Sequence, residues 1–180
     1  MAAQPPIDLK SFIRDVPDFP RPGVLFRDIT PLLQDAVAFR YVIDELARRI
    51  EPSSPDVIVA IESRGFVFGA PVAYKLGVPL VPVRKEGKLP AERMSVDFAL
   101  EYGQGRLDIH ADALQRGQLV AVIDDLLATG GTAAAAAELV ERLGASVACV
   151  AVVVELAFLR GRQRLEGNSV ISLLRYEDPA

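Results

Sequence analysis

Twice along this chain a short apolar run is followed by a polar loop, a helical stretch and a second apolar run, and this repeated order narrows the possible folds more than any other feature. In the first unit the β-branched run Val57–Ile61 leads through Glu62, Ser63, Arg64 and Gly65 into an apolar stretch over 66–76, a stop at Gly77 and a second run over 78–83. In the second, an apolar run over 119–123 precedes a loop over 124–131, a helix over 132–143 with Gly144 beyond its end, and another apolar run over 147–154. Unbroken apolar runs suit strands buried on both faces, the condition of strands in a parallel sheet. The expectation is an α/β fold, a parallel twisted sheet flanked by helices, in one domain spanning residues 1–180.

Ahead of the first unit, Phe39, Val42, Ile43, Leu46 and Ile50 recur at helical spacing, with Asp35 placed to cap the start and Pro52 to end it. Between the units, Met94, Val96, Phe98, Leu100 and Tyr102 alternate with Ser95, Asp97, Ala99 and Glu101, the period of a strand with one polar face. Gly103, Gln104 and Gly105 then turn the chain into a second short strand carrying Leu107 and Ile109, so an antiparallel hairpin interrupts the parallel pattern. The stretch 84–90 before it has charge, glycine and proline without periodicity, which predicts a mobile loop and, with the hairpin, a lid.

Composition excludes several function classes. Hydrophobic residues make up 51% of 180, enough for a buried core, while 20 Lys+Arg against 24 Asp+Glu leave a net charge of -4 and no global positive field to hold a nucleic-acid backbone. Cys149, the one cysteine, sits in an apolar run and reads as core, and the alanines over 133–137 read as helix. Residues 1–8 lack the basic start and apolar stretch of a secretory signal, and no apolar run approaches the roughly 20 residues that span a bilayer. A cytoplasmic protein without membrane or nucleic-acid partners is expected.

The chemistry concentrates where Val122 and Ile123 leave a buried strand, Asp124 and Asp125 follow, and Leu126, Leu127, Ala128, Thr129, Gly130, Gly131 and Thr132 lead into a helix. Ligands of open α/β sheets bind at the carboxyl ends of strands, and a helix N-terminus offers free N–H groups to an anion. A phosphate fits between Ala128 and Thr132, because Gly130 and Gly131 put no Cβ in its way and the Thr129 and Thr132 hydroxyls add donors. Asp124 and Asp125 would repel that phosphate, so their natural partners are sugar hydroxyls, and a ribose 5-phosphate is the expected ligand. A plain capped turn would use one such carboxylate or hydroxyl; two aspartates, two threonines and a glycine pair in register exceed it. The chain has no G-x-x-x-x-G-K-[ST] and no G-x-G-x-x-G after a strand, and its lone His110 has no second histidine or cysteine nearby to build a zinc site.

At these residues the sequence resembles the type I phosphoribosyltransferases, whose signature is a strand, two acidic residues and a T-G-G-T type phosphate loop. The variant from Asp124 to Thr132 is similar to the adenine-using branch of that family. Three further segments agree: Pro17-Asp18-Phe19-Pro20 with Pro22-Gly23-Val24-Leu25-Phe26-Arg27-Asp28-Ile29, then Glu62-Ser63-Arg64-Gly65-Phe66, then Leu100-Glu101-Tyr102-Gly103, so the likeness covers about 12–176. It implies transfer of the 5-phosphoribosyl group from phosphoribosyl pyrophosphate to N9 of adenine, giving AMP and pyrophosphate, in purine salvage. It implies Mg2+ bound mainly through phosphoribosyl pyrophosphate, and a homodimer.

The resemblance also implies roles. Ala128, Thr129, Gly130, Gly131 and Thr132 would hold the 5-phosphate, Asp124 and Asp125 the ribose hydroxyls, and Ser63 and Arg64 the pyrophosphate, beside a non-proline cis peptide at Glu62–Ser63. Arg84, Lys85 and Lys88 match basic residues near the pyrophosphate, one of which can cross a dimer interface in this family. Leu25, Phe26, Arg27 and Leu156 would surround the base within a small hood built from 12–34 and 155–176, although Ala157-Phe158-Leu159-Arg160 is bulkier than the family pattern. A Leu25 carbonyl that accepts the 6-amino group and an Arg27 N–H that donates to N1 would leave hypoxanthine and guanine with unpaired polar groups. Glu101 would approach N7 of the purine as a catalytic acid or base. Three rivals share the phosphate loop: a transferase for another base, a noncatalytic sensor of phosphoribosyl pyrophosphate, and a nucleotide-binding structural protein.

Overall fold

In the computed structural model, which describes residues 7–99 and 104–179, the chain order is β1 (Arg14–Val16), β2 (Phe26–Asp28), α1 (Thr30–Gln34), α2 (Ala36–Ile50), β3 (Val57–Ile61), α3 (Gly65–Leu76), β4 (Leu80–Lys85), β5 (Arg93–Ala99), β6 (Gln104–His110), β7 (Leu119–Leu127), α4 (Gly131–Arg142), β8 (Ser146–Leu156) and β9 (Val170–Tyr176). Short 3-10 turns occupy Leu9–Phe12, Glu51–Ser53, Ala157–Leu159 and Gly161–Leu165. Strands β3 to β9 form one sheet in the order β5-β6-β4-β3-β7-β8-β9. Pairing is parallel from β4 across to β9, and the β5–β6 hairpin joins the β4 edge antiparallel, as the sequence pattern predicts.

The alternation of side chains across each strand divides the core into two layers. Val57, Val59, Ile61, Val120 and Val122 pack with Ala133, Ala136, Leu139 and Val140 of α4 on one face, while Ile58, Ala121 and Ile123 pack with Val42, Leu46 and Ile50 of α2 and Phe68 and Val72 of α3 on the other. Phe68 is fully buried, and truncating such a side chain to alanine costs about 3–5 kcal/mol. Asp35 caps α2 as expected, its carboxylate accepting from the N–H groups of Val37 and Ala38 at 2.9 and 2.8 Å. Cys149 is buried. No helix among the described residues is long and apolar enough to cross a membrane.

The structure corrects four local expectations. Strand β7 does not end at Ile123: Asp124, Leu126 and Leu127 pair with Val152, Val154 and Glu155 of β8, so both aspartates stand on a strand and the loop shrinks to Ala128–Gly130. Arg84 and Lys85 belong to β4 because they pair with Asp108 and Leu107 of β6, which leaves the loop to begin at Glu86. Gln104 and Gly105 pair with Ala99 and Phe98 instead of turning, and Leu100, Glu101, Tyr102 and Gly103 lie outside the described residues. Strands β1, β2 and β9 have no counterpart in the sequence pattern. β1 and β2 form a small antiparallel sheet, and Arg27 ties it to the end of β9: its guanidinium pairs with Asp15, donates to the Pro179 carbonyl at 3.2 Å and lies 4.1 Å over the Tyr176 ring.

Candidate active site

From β3 the chain crosses through α3 to β4 on one side, and from β7 through α4 to β8 on the other. The two crossovers diverge, and sheets of this kind open a crevice at the carboxyl ends of the strands where they part. A cavity of about 430 Å³ lies there. Ser63 and Arg64 enter it from beyond β3, Lys85 from the end of β4, Asp124 and Asp125 from β7, and Ala128, Thr129, Gly130, Gly131 and Thr132 from the start of α4. The structure thus brings together ten of the residues singled out from the sequence.

The β7–α4 corner is shaped for an anion. Gly130 takes φ +83, a left-handed conformation that side-chain-bearing residues rarely adopt, and no side chain caps the helix that follows. The first helical closure is from the Ala134 N–H to the Gly130 carbonyl at 2.9 Å, so the N–H groups of Gly131, Thr132 and Ala133 precede any intrahelical bond. The first turn carries no acidic residue to compete for them.

The two aspartates differ. Asp125 is buried, with Arg64 Nε 2.8 Å from its Oδ2, a charge contact outside hydrogen-bond alignment that leaves Oδ2 without a hydrogen-bond partner. Asp124 remains partly open to the cavity, and its Oδ1 accepts from the Asp125 N–H at 2.8 Å. Desolvation, followed by the neighbouring Asp125 charge, pushes the Asp124 carboxyl well above the usual carboxylate range. Arg64 also lies 5.6 Å from the centroid of the Phe26 ring, so one guanidinium spans the gap between β7 and the N-terminal segment.

Arg84 and Lys88 do not line the cavity; Glu62 gathers them at its edge. The Glu62 carboxylate accepts from Arg84 Nε at 3.0 Å, from the Lys85 N–H at 2.9 Å and from Lys88 Nζ at 2.6 Å. Burial works against its charge, but these donors outweigh burial and hold its pKa at about 2. The Glu62–Ser63 peptide is cis. Leu25, Phe26 and Leu156 are half-buried and lie off the cavity lining, as does Arg27, whose side chain is committed to Asp15 and Tyr176. Glu101 lies outside the described residues.

Sequence reasoning missed two supports of this site. Gly65 falls at the end of a polar loop in the sequence pattern, yet it opens α3 directly against Asp124; the available signal was a glycine between the carboxyl end of a strand and a helical apolar stretch. Gly161 lies with its backbone against the Ala128–Gly130 loop, a contact between distant segments that no local pattern announces.

The family model described as phosphoribosyl transferase domain matches residues 33–171. An adenine phosphoribosyltransferase of Carboxydothermus hydrogenoformans is 57% identical over 170 residues, covering 94% of this chain and all of the relative. The crystal structure of the adenine phosphoribosyltransferase of Thermoanaerobacter pseudethanolicus superposes with a TM-score of 0.91 at 54% identity, over 94% of this chain and 98% of that one. The Saccharomyces cerevisiae enzyme, solved with a dideoxy-imino-altritol bisphosphate and adenine, gives 0.89 at 42% identity, over 93% and 97%. Fold, crevice and relatives across nearly the whole length therefore agree: the chain belongs to the type I phosphoribosyltransferase family, in its adenine phosphoribosyltransferase branch.

Proposed function

We propose a division of labour among these residues in the transfer of the 5-phosphoribosyl group from phosphoribosyl pyrophosphate to N9 of adenine, with AMP and pyrophosphate as products. The observation that carries it is the convergence, in one cavity, of an uncapped helix start, an aspartate pair and the cations Arg64 and Lys85. Ala128, Thr129, Gly130, Gly131 and Thr132 take the 5-phosphate on the N–H groups of the first α4 turn. Asp124 and Asp125 take the ribose hydroxyls, with Arg64 fixing the direction of the Asp125 carboxylate. Ser63, Arg64 and Lys85 receive the pyrophosphate, and Arg84 and Lys88 reinforce them from the Glu62 cluster.

Catalysis is then positioning and electrostatics. C1 of the ribose becomes cation-like as pyrophosphate leaves, and the basic side chains stabilise the departing charge. Mg2+ supplies further neutralisation of the pyrophosphate when bound. Asp124 and Asp125 bring carboxylate oxygens into the cavity, and Mg2+ takes one or two such oxygens beside substrate phosphates, so the lining suits an ion bound mainly through phosphoribosyl pyrophosphate. Leu25, Phe26, Arg27 and Leu156 receive adenine beneath a hood formed by 12–34 and 155–176, and Glu101 exchanges a proton with N7. The hairpin serves as lid: the Ala99 carbonyl would stand 3.0 Å from a Cβ on Gly131, so the hairpin stem already rests on the start of α4.

The chain works as a homodimer in cytoplasmic purine salvage. The outer face of α3 supports the dimer, since Val67 and Tyr74, with Leu80 beyond them at the start of β4, are exposed apolar side chains, Tyr74 at 90%. A pyrophosphate-release assay with adenine, hypoxanthine, guanine and no base tests the whole reading. Turnover with adenine and phosphoribosyl pyrophosphate, and background rates with the other three inputs, is the expected result; equal rates with hypoxanthine or guanine would overturn the base assignment, and binding without turnover would overturn the enzyme.

A further inference from the structure

Strand β8 reaches the site at Glu155, which pairs in register with Leu127, the residue before Ala128. Its carboxylate is 3% exposed and fully engaged. Arg162 donates to it twice, from Nε at 2.6 Å and from Nη2 at 2.7 Å, Ser172 Oγ donates at 2.7 Å, and Arg175 Nε lies 3.6 Å away. Arg162 Nη1 also donates to the Val170 carbonyl at 3.0 Å. This network fastens the turn Gly161–Leu165 to the ends of β8 and β9.

The opposite side of the same turn lies against the phosphate loop, backbone to backbone. A Cβ built on Gly161 would stand 2.3 Å from the Ala128 carbonyl oxygen, and one built on Gly130 would stand 2.3 Å from the Gly161 carbonyl oxygen. Arg164 Nη1 comes within 3.2 Å of a Cβ built on Gly131. Leu156, which follows Glu155, is the residue placed against the base. One buried carboxylate therefore stands between the segment assigned to adenine and the segment assigned to the 5-phosphate. The Arg162 side chain is half-exposed, and an ion pair between a buried carboxylate and such a cation contributes little net stability; what the bidentate pairing adds is a fixed direction.

We propose that Glu155 is a positioning residue which, through Arg162, holds the Gly161 backbone against the back of the phosphate loop and so sets the spacing between the base and 5-phosphate subsites. The proposal rests on the reading of Ala128 to Thr132 as the phosphate loop. AMP spans both subsites and ribose 5-phosphate depends on the loop, whereas pyrophosphate binds at Ser63, Arg64 and Lys85 and is indifferent to the clamp.

Calorimetric titration of Glu155→Gln and Gly161→Ala with AMP, ribose 5-phosphate and pyrophosphate tests it, alongside KM and kcat. Glu155→Gln removes the charge that aligns Arg162, and Gly161→Ala forces the turn off the loop without changing any charge. Misplacement of a substrate by about 1 Å can cost on the order of a hundredfold in rate, so kcat/KM is expected to fall by about tenfold or more in both variants, with AMP and ribose 5-phosphate binding measurably weakened and pyrophosphate affinity kept within about twofold. Arg162→Lys, which keeps a cation but not the fork, should fall between wild type and Arg162→Met. Should Glu155→Gln fail to fold, Gly161→Ala decides. Equal weakening of all three ligands, or unchanged affinity for AMP and ribose 5-phosphate beside normal wild-type binding, would overturn the positioning role; a wild-type chain that does not bind ribose 5-phosphate would instead overturn the phosphate-loop reading beneath it.

Discussion

Gly65 leaves no room for a side chain beside Asp124: a Cβ on Gly65 would stand 2.8 Å from the Ile123 carbonyl oxygen and 3.1 Å from Asp124 Oδ1. Helix α3 therefore starts in direct contact with the strand that presents the aspartates. Gly65→Ala should push the two apart, at a cost of about 1–3 kcal/mol for overpacking, and displace Asp124 within the cavity. Urea denaturation and a turnover assay read the two effects. A variant with wild-type stability and turnover would show that the close approach has no consequence for either.

The loop assigned to the 5-phosphate separates a steric from a chemical requirement. Gly130→Ala places a Cβ 2.3 Å from the Gly161 carbonyl oxygen at φ +83, so it should lower both stability and affinity for phosphoribosyl pyrophosphate. Thr132→Ala loses one hydroxyl donor to a charged phosphate and should weaken substrate binding by about 1.5–3 kcal/mol without moving the melting temperature. Titration calorimetry and thermal melts of both variants distinguish these outcomes, and unchanged affinity in both would displace the 5-phosphate from this loop.

What could be read from the residues followed from how local the cause was. Val57–Ile61 declares a buried strand through its own β-branched side chains, and Asp35 declares the α2 start through a cap that reaches two and three residues onward. Asp124 and Asp125 resemble loop because carboxylates are rare in buried strands, and what keeps them on β7 is pairing with β8, aided by Arg64 and Gly65, all remote in sequence. Strand β9 shows the same limit: its side chains are mostly half-buried, so Val170–Tyr176 lacks a clean period-2 alternation. The glycine-rich loop at 128–130 and the helix it enters were legible from the glycines and threonines, whereas the Gly161 backbone behind the loop was not, because a contact between two glycine backbones leaves no side-chain pattern.

Glu101 carries the catalytic assignment from family resemblance, on a stretch outside the described residues that joins β5 to β6. A positioned general acid or base is worth about 100 to 10,000-fold in rate. Glu101→Gln should lower kcat by at least about tenfold, less than the full range because the amide still hydrogen-bonds to N7, with affinity for phosphoribosyl pyrophosphate kept within a few-fold. Glu101→Leu should be worse. Near-normal kcat in both variants would reduce the hairpin to a water-excluding lid.

The raised pKa of Asp124 carries a stability cost. A carboxyl whose folded pKa stands above its unfolded value opposes folding increasingly as pH rises through that interval, because the folded chain holds the proton more tightly. Asp124→Asn keeps the acceptor for the Asp125 N–H and removes the charge, so it should raise the melting temperature at neutral pH while lowering turnover. A variant less stable than wild type at pH 7 and equally active would mean that the carboxylate is structural.

Glu62 titrates in the opposite sense. Its folded pKa is lowered from 4.5 to about 2, so its contribution to stability is fully present above pH 4.5 and is lost as pH falls through about 2. A tenfold change in proton affinity corresponds to about 1.4 kcal/mol, but Arg84 and Lys88 are 34% and 50% exposed, and screening by solvent brings the expected contribution down to about 1–2 kcal/mol. Glu62→Gln should therefore be less stable than wild type at pH 7 by about that amount, with the gap narrowing steadily below pH 4.5. Urea midpoints measured from pH 7 down to pH 3 provide the test. A gap that stays constant over that range would mean that the three donors are held by shape and not by the charge of Glu62, and that Arg84 and Lys88 reach the cavity edge without it.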